Sequence, residues 1–413
     1  MADPSGLSSR GRLLIDDPQM APYFAVNQSR MGDVCDPVTN PDGYIPLCTA
    51  ENKLVADLLL AKLAQVRNVP ASALGYTDML GSPAFRSRLA SFLERHVVRR
   101  SIDPENVAVL AGAGTVLEQL FHVIADVGDA VLVPTPSYAG FWADLQTRDG
   151  LVIAPVPTTP DTGFRLTPAA LDRALAAADR PVRALLYTSP DNPLGRVSPA
   201  GDIAMVIEWA EAVGVHLVMS EVYALSVYGD AEFVSAGSLR ATLGDRLHLV
   251  WAFSKDLAMS GLRCGTLISE NDDVLRAVRE LAYWGAVSGD TQWALGCMVT
   301  DDAWIDEYVA EMRSRLATSY RAVTRVLDAA GIPHLPAAAG LFLLADLRRW
   351  LDAPTWEAER RLWERILTEV NVNVTPGSAC HIVEPGFVRI CFAAVPTDVA
   401  VTGVERLATV LGR

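Results

Sequence analysis

Between residues 107 and 269 the chain alternates between short apolar runs and longer stretches of helical spacing. The runs are VAVL (107–110), AVLVP (130–134), LVIAPV (151–156), ALLYTS (184–189), HLVMS (216–220), LHLVWAFS (247–254) and CGTLIS (264–269). They carry few polar positions to turn toward water, which is the pattern of a strand covered on both faces. A buried helix segment leaves the same signature over so few residues, so the intervening segments decide. TVLEQLFHVIADV (115–127) and DIAMVIEWAEAVGV (202–215) space their apolar residues three and four apart, as helices do. Their alternation with the runs predicts an α/β domain, a mostly parallel sheet wrapped by helices.

The flanks read differently. Residues 1–50 are rich in Pro, Gly, Asp and Asn and predict an extended arm, flexible at its start, MADPSGLSSRGRL. Helical spacing predicts helices over ENKLVADLLLAKLAQV (51–66) and AFRSRLASFLERHVVRR (84–100). Long helical patterns fill 272–330, and one of them is expected to pass between two lobes. AGLFLLADLRRWL (339–351), ILTEVNVNVTPG (366–377) and FVRICFA (387–393) predict a smaller α+β domain. The expected division is an arm over 1–50 that joins the small domain, a large domain over 51–310 and a small domain over 311–413.

Composition narrows the function without naming it. At 413 residues, 50% hydrophobic and 20% charged, the chain has ample material for two cores. A net charge of −14 disfavours nucleic acid and anionic membrane as partners, but leaves room for a locally positive small-molecule site. The six cysteines show no CxxC pair and no spacing with histidine that suggests a metal, so reduced thiols in the cytoplasm are expected. No apolar stretch reaches the roughly 18 residues needed to span a bilayer. Only three lysines occur, Lys53, Lys62 and Lys255, which limits any lysine-based covalent chemistry to three candidates.

Lys255 is the candidate that stands out. In WAFSKDLAMSGLRCG (251–265) it leaves the end of a buried run, where lysines are rare unless paired or reactive. Desolvation and a nearby cation would lower its pKa and make it a nucleophile toward an aldehyde. Ser254 and Arg263 nearby suit a phosphate, although a surface lysine and an unrelated arginine would read the same way. In VLAGAGTVLEQL (109–120), Ala113, Gly114 and Thr115 would present N–H groups to an anion at a helix start, or Thr115 simply caps the helix. Tyr138 follows a run in a Pro-rich loop, where its ring could lie on a flat ligand. Asn192, in YTSPDNPLG, is equally a turn former.

Taken together, these segments place the chain in a known group. IPLCTAENKL, LVPTPSYAGFWADL, SPDNPLG, SEVYALSVY, FSKDLAMSGLRCG, VSGDTQ and VTPGSACHIVEPGFVRICFA, in that order, resemble the fold-type-I pyridoxal-phosphate (PLP) enzymes of the class I/II aminotransferase family. The similarity is strongest to its 1-aminocyclopropane-1-carboxylate (ACC) synthase-like branch. The resemblance implies that Lys255 forms the Schiff base with PLP and moves the Cα proton, with Tyr223 beside it at the chemistry. It implies that Arg263, Ser254 and the Ala113-Gly114-Thr115 turn hold the phosphate. Asn192 and Tyr223 would bond the phenolic oxygen, and Tyr138 would stack on the ring. Arg389 would take the substrate α-carboxylate, and Glu51 matches a glutamate near the substrate. Tyr76 resembles a tyrosine that reaches a neighbouring subunit's phosphate, which implies a homodimer with shared active sites.

Three departures bear on the activity. Family members carry Asp before the Glu of DEVY, where it pairs with the protonated pyridine nitrogen; this chain has Ser220 before Glu221. A neutral hydroxyl cannot supply the one to three pKa units that an opposite charge within ~4–6 Å provides. A ring that holds negative charge poorly disfavours transamination, which needs a long-lived carbanion. It favours expulsion of a leaving group from Cβ, as in unrelated PLP lyases that also place Ser or Thr there. Two explanations compete with this: Glu221 or a water takes the place of Asp, or the enzyme is simply slow. Ala252 stands where a phosphate-binding serine is usual, and Met79 where ACC synthases carry a tyrosine. The expected activity is β-elimination, for example C–S bond cleavage in specialised bacterial metabolism. Its alternatives are aminotransfer, and decarboxylation or ACC-type γ-elimination on S-adenosylmethionine. A PLP-binding regulator would need an added DNA-binding domain, and none is evident.

Overall fold

The computed structural model describes residues 6–16 and 20–412. Its first strand, β1 (Ile45–Pro46), belongs to the N-terminal segment. The next seven are β2 (Val107–Leu110), β3 (Ala130–Thr135), β4 (Val152–Pro157), β5 (Val182–Thr188), β6 (His216–Ser220), β7 (Leu247–Ala252) and β8 (Gly265–Ile268). They form one sheet in the order β2-β8-β7-β6-β5-β3-β4 and coincide with the seven apolar runs. Neighbours are parallel except around β8, which runs antiparallel to both β2 and β7.

Two-sided burial is visible residue by residue. Leu249 and Trp251 of β7 enter one apolar cluster and Val250 the other; Leu217 and Met219 of β6 divide from Val218 in the same way. Successive strand residues point to opposite faces, so a run apolar at every position must be covered on both. Helices Ala113–Ile124, Gly140–Gln146 and Asp272–Leu281 cover one face with Leu117, Phe141 and Val278. Helices Pro83–Leu93, Ala200–Val213 and Asp302–Ala329 contribute Phe85, Ile207 and Leu316 to the cluster on the other. Each fully buried large side chain is worth roughly 1.5–3 kcal/mol.

The C-terminal lobe carries β9 (Phe342–Asp346), β10 (Val372–Asn373), β11 (Thr375–Pro376) and β12 (Phe387–Cys391). An antiparallel sheet orders them β11-β12-β9, while β10 pairs in parallel with β1 through Ile45 and Val372. Cys391 N–H also donates to Leu47 O at 2.8 Å, so the N-terminal segment is bound to this lobe. The 28-residue helix Asp302–Ala329 spans the boundary expected at residue 310.

The arm is less extended than its composition suggests. Residues 1–5 of the flexible start lie outside the described residues, as do 17–19, but Ser9–Asp16 and Pro22–Arg30 are helices. Pro22 pre-sets the first helical turn, a role that a Pro-rich composition conceals. Two helices are also shorter than predicted. The first begins only at Ala56, and the second gives way after Leu93 to a π-turn over Glu94–Val98 that Arg99 ends in the left-handed region at φ 57°. No described helix is long and apolar enough to cross a membrane.

Candidate active site

Because β2, β3, β5, β6 and β7 run in one direction, their carboxyl ends share an edge of the sheet, the place where ligands sit in open α/β folds. A cavity of about 220 Å³ opens there, lined among others by Gly114, Tyr138, Asn192, Ser220, Lys255 and Arg263. A wider groove of about 720 Å³, lined by His216 and Asp245, lies at the opposite edge, where β6 begins. It holds none of the candidate site residues.

Lys255 sits on the single turn Phe253–Asp256 that follows β7. The turn is clamped by its own neighbour. Asp256 accepts hydrogen bonds from Ser226 N–H at 3.0 Å, from Ser226 Oγ at 2.7 Å and from Trp251 Nε1 at 2.9 Å. Enclosure lowers the Lys255 amine to about 8, against an opposing pull from Cys391 and Glu51. Its Nζ donates to Ala50 O at 2.6 Å, while Glu51 accepts from Ser260 Oγ at 2.8 Å. The TAEN segment thus borders the amine, although Glu51 itself does not line the cavity.

An anion cradle stands at one end. Gly112 precedes helix Ala113–Ile124 with φ 94°, and a Cβ there would lie 2.4 Å from the Arg263 guanidinium. Only glycine lets the backbone and that arginine come so close. The first intrahelical donor is Val116 N–H, which leaves the N–H groups of Ala113, Gly114 and Thr115 without helical acceptors. Arg263, itself at φ 49°, is held by Ser260 O at 3.0 Å and Ala111 O at 3.3 Å. Ser254 and Ala252 also line the cavity. Thr115 does not; its hydroxyl donates back to Ala111 O at 3.1 Å, and no side chain caps this helix, whose N-cap is Gly112.

At the other end the lobes meet through one hydrogen-bonded chain. Asn192 Nδ2 donates to Tyr223 Oη at 3.2 Å, and Arg389 from β12 donates to Asn192 Oδ1 at 3.0 Å. Arg389 also donates to Cys48 O at 2.5 Å and Thr375 Oγ1 at 2.9 Å, while its buried Nε has no partner among the described residues. A buried guanidinium with a spare donor is suited to a carboxylate. Tyr138 lines the same space with its ring folded over Gly140 and edge-on to Phe141 at 5.3 Å.

Strand alternation resolves the position of Glu221. Ser220, the last residue of β6, is 3% exposed and lines the cavity. Glu221 faces away, accepting from Ser235 Oγ at 2.7 Å and Ala236 N–H at 2.8 Å, and burial pushes it up to about 7. It does not take the place of an aspartate in the cavity. Tyr76 is absent from the lining and is 98% exposed. Met79 packs against the cluster that holds Leu80, as a core residue does. Asp144 and Asp256 escaped the sequence reading. A lone acid on an apolar helical face was the available signal for the first, and the Lys-Asp pair after a buried run for the second.

The sheet topology and a lysine of lowered pKa at its carboxyl edge, between an anion cradle and a buried arginine, define a PLP-dependent enzyme of fold type I. The chain belongs to the class I and II aminotransferase family, whose model matches residues 44–407. It is 36% identical to 1-aminocyclopropane-1-carboxylate synthase 4 of Oryza sativa subsp. japonica, over 94% of this chain and 86% of that one. It is 34% identical to 1-aminocyclopropane-1-carboxylate synthase 9 of Arabidopsis thaliana, over 94% and 87%. Among solved structures, aspartate aminotransferase from Thermus thermophilus with maleate superposes with a TM-score of 0.81 at 25% identity, covering 98% of this chain and 99% of that one.

Proposed function

We propose that the chain eliminates a leaving group from the side chain of an amino acid or amino-acid conjugate, at Cβ in the first instance. The residues present fit PLP: a glycine-lined cradle for its phosphate, an amine for its aldehyde, and Asn192 with Tyr223 for its phenolic oxygen. When bound, PLP supplies an aromatic ring that withdraws electrons from Cα. Arg389 fixes the substrate α-carboxylate through its unpartnered Nε and so orients the Cα–H bond toward the Lys255 amine. Lys255 removes the Cα proton, the Cβ–X bond breaks with its electron pair leaving on X, and the residual enamine hydrolyses to a keto acid and ammonia.

The observation that carries this reading is Ser220 facing the cavity while Glu221 faces away. With no carboxylate opposite the ring nitrogen, charge is better discharged at once than stored. The named relatives favour a second reading, γ-elimination of the ACC synthase kind, to which Met79 at the expected tyrosine position is unfavourable. Aminotransfer is the third.

A second copy of the chain is proposed to cover Leu74, Tyr76, Tyr283 and Trp284, all strongly exposed, and to share its site. Six free thiols suit the reducing cytoplasm. The test is incubation of PLP-loaded protein with S-substituted cysteines and ordinary amino acids. Keto acid, ammonia and a freed thiol from the former are expected. Stoichiometric pyridoxamine phosphate from each donor would establish aminotransfer, and methylthioadenosine from S-adenosylmethionine the γ-elimination reading.

A further inference from the structure

Asp144 is the single acidic side chain lining the cavity among the described residues. It stands on helix Gly140–Gln146, and its Oδ1 lies 3.3 Å from the point a Cβ on Gly114 would occupy, over the first turn of helix Ala113–Ile124. Its carboxyl makes no hydrogen bond or ion pair with another described residue, and Arg263 is engaged instead by two backbone carbonyls. The charged or titratable groups facing it are Arg263, Tyr138 and, across the cavity, Lys255. On helix Ala113–Ile124, Glu118 pairs with Arg148 and His122 with Asp149, and β4 carries no ionisable residue.

An ionised carboxylate in this position would face the phosphate that the cradle is built to hold. Two like charges in one poorly solvated site do not both persist; Arg263 and the free N–H groups of the helix start stabilise the charge on the phosphate, so the proton goes to the carboxyl. Resting on the PLP-binding reading above, we propose that Asp144 takes up one proton from solvent as the phosphate enters and donates it in a hydrogen bond to a phosphate oxygen. A neutral carboxyl is a strong donor to an anionic oxygen. It also restores a hydroxyl to a cradle in which Ala252 offers none. Burial already pushes Asp144 up to about 6, with Arg263 opposing. The proton is therefore largely absent at pH 8 in the unliganded cavity and must arrive with the ligand.

The experiment uses pyridoxamine 5′-phosphate and pyridoxamine as probes, since neither reacts with Lys255. Binding to the cofactor-free protein is followed calorimetrically at pH 6 and pH 8, in buffers of different ionisation enthalpy. At pH 8 the wild type is expected to take up about one more proton with the phosphorylated probe than Asp144→Asn does, and to lose close to tenfold in affinity per pH unit above about 6. The Asp144→Asn profile is expected to be flatter, and the unphosphorylated probe to show no difference between the two proteins. Equal proton uptake by the two proteins, or loss of affinity in Asp144→Asn at both pH values, overturns the proposal. Should Asp144→Asn fail to fold, the wild type alone decides: equal proton uptake with the two probes at pH 8 also overturns it. Absence of a covalent PLP adduct at Lys255 would instead defeat the underlying reading and leave these proton counts intact.

Discussion

Replacing Ser220 by aspartate introduces a carboxylate at the end of β6, where the cavity has only a hydroxyl. The neighbouring Glu221 shows what such a group meets at this strand end, since burial holds it at about 7 even though it accepts two hydrogen bonds. An aspartate at 220 without those donors would be raised at least as far, by roughly three units, or about 4 kcal/mol if forced to ionise alone. Pairing with a protonated ring nitrogen returns one to three units, about 1.4–4 kcal/mol. The two contributions nearly cancel, so the carboxylate forms only together with the protonated ring. The expected result is a tenfold or larger shift in partition from keto acid plus ammonia toward pyridoxamine phosphate. Both products are measured per turnover on the same S-substituted cysteine. An unchanged partition in a variant that binds PLP normally would refute the reasoning. So would an equal shift in Ser220→Ala, because the effect would then come from losing a hydroxyl.

Arg389→Lys removes the fork that serves Asn192, Cys48 and Thr375 together. KM for the amino acid should rise ten- to a hundredfold, roughly 1.5–3 kcal/mol, with a smaller change in kcat; steady-state kinetics with an unaltered KM would remove Arg389 from the carboxylate site. Pyridoxal, which lacks the phosphate, should react with the cofactor-free protein at a rate that climbs with pH up to about 8 and then levels, because only the neutral Lys255 amine attacks. A rate still climbing at pH 10 would mean the amine is not enclosed as described. Borohydride reduction of the loaded protein should label Lys255 and leave Lys53 and Lys62 unmodified. If the site is shared between copies, mixing inactive Lys255→Ala with weakened Tyr76→Ala should recover activity in the hybrid, which contains one intact site. Activity equal to the average of the two parents would exclude sharing.

The seven-stranded sheet was legible because its strands are buried on both faces and leave uninterrupted apolar runs. Lys255, Asn192 and Tyr223 follow such runs and line the cavity with Arg263, which stands before β8 and was singled out by its spacing from Lys255, while the roles expected of all four came from the resemblance. The helices of the arm were not, since Ser9–Asp16 buries no side chain and Pro22–Arg30 buries only Tyr23 and Asn27. Without an apolar stripe there is no periodicity to read. Asp144 was hidden for the opposite reason: its importance arises from Gly114 on a different helix, a proximity that local spacing does not encode. The choice between Ser220 and Glu221 required the strand's end to be located, because one residue decides which face a side chain takes.

That last point gives the Ser235–Ala236 clasp on Glu221 a meaning beyond satisfying a buried acid. A slip of β6 by a single residue would deliver a negative charge to the ring nitrogen and convert one kind of catalyst toward another. By gripping the acid from behind, the clasp pins the phase of the strand, so under the proposed chemistry the choice of reaction would be enforced by two donors that never meet the substrate.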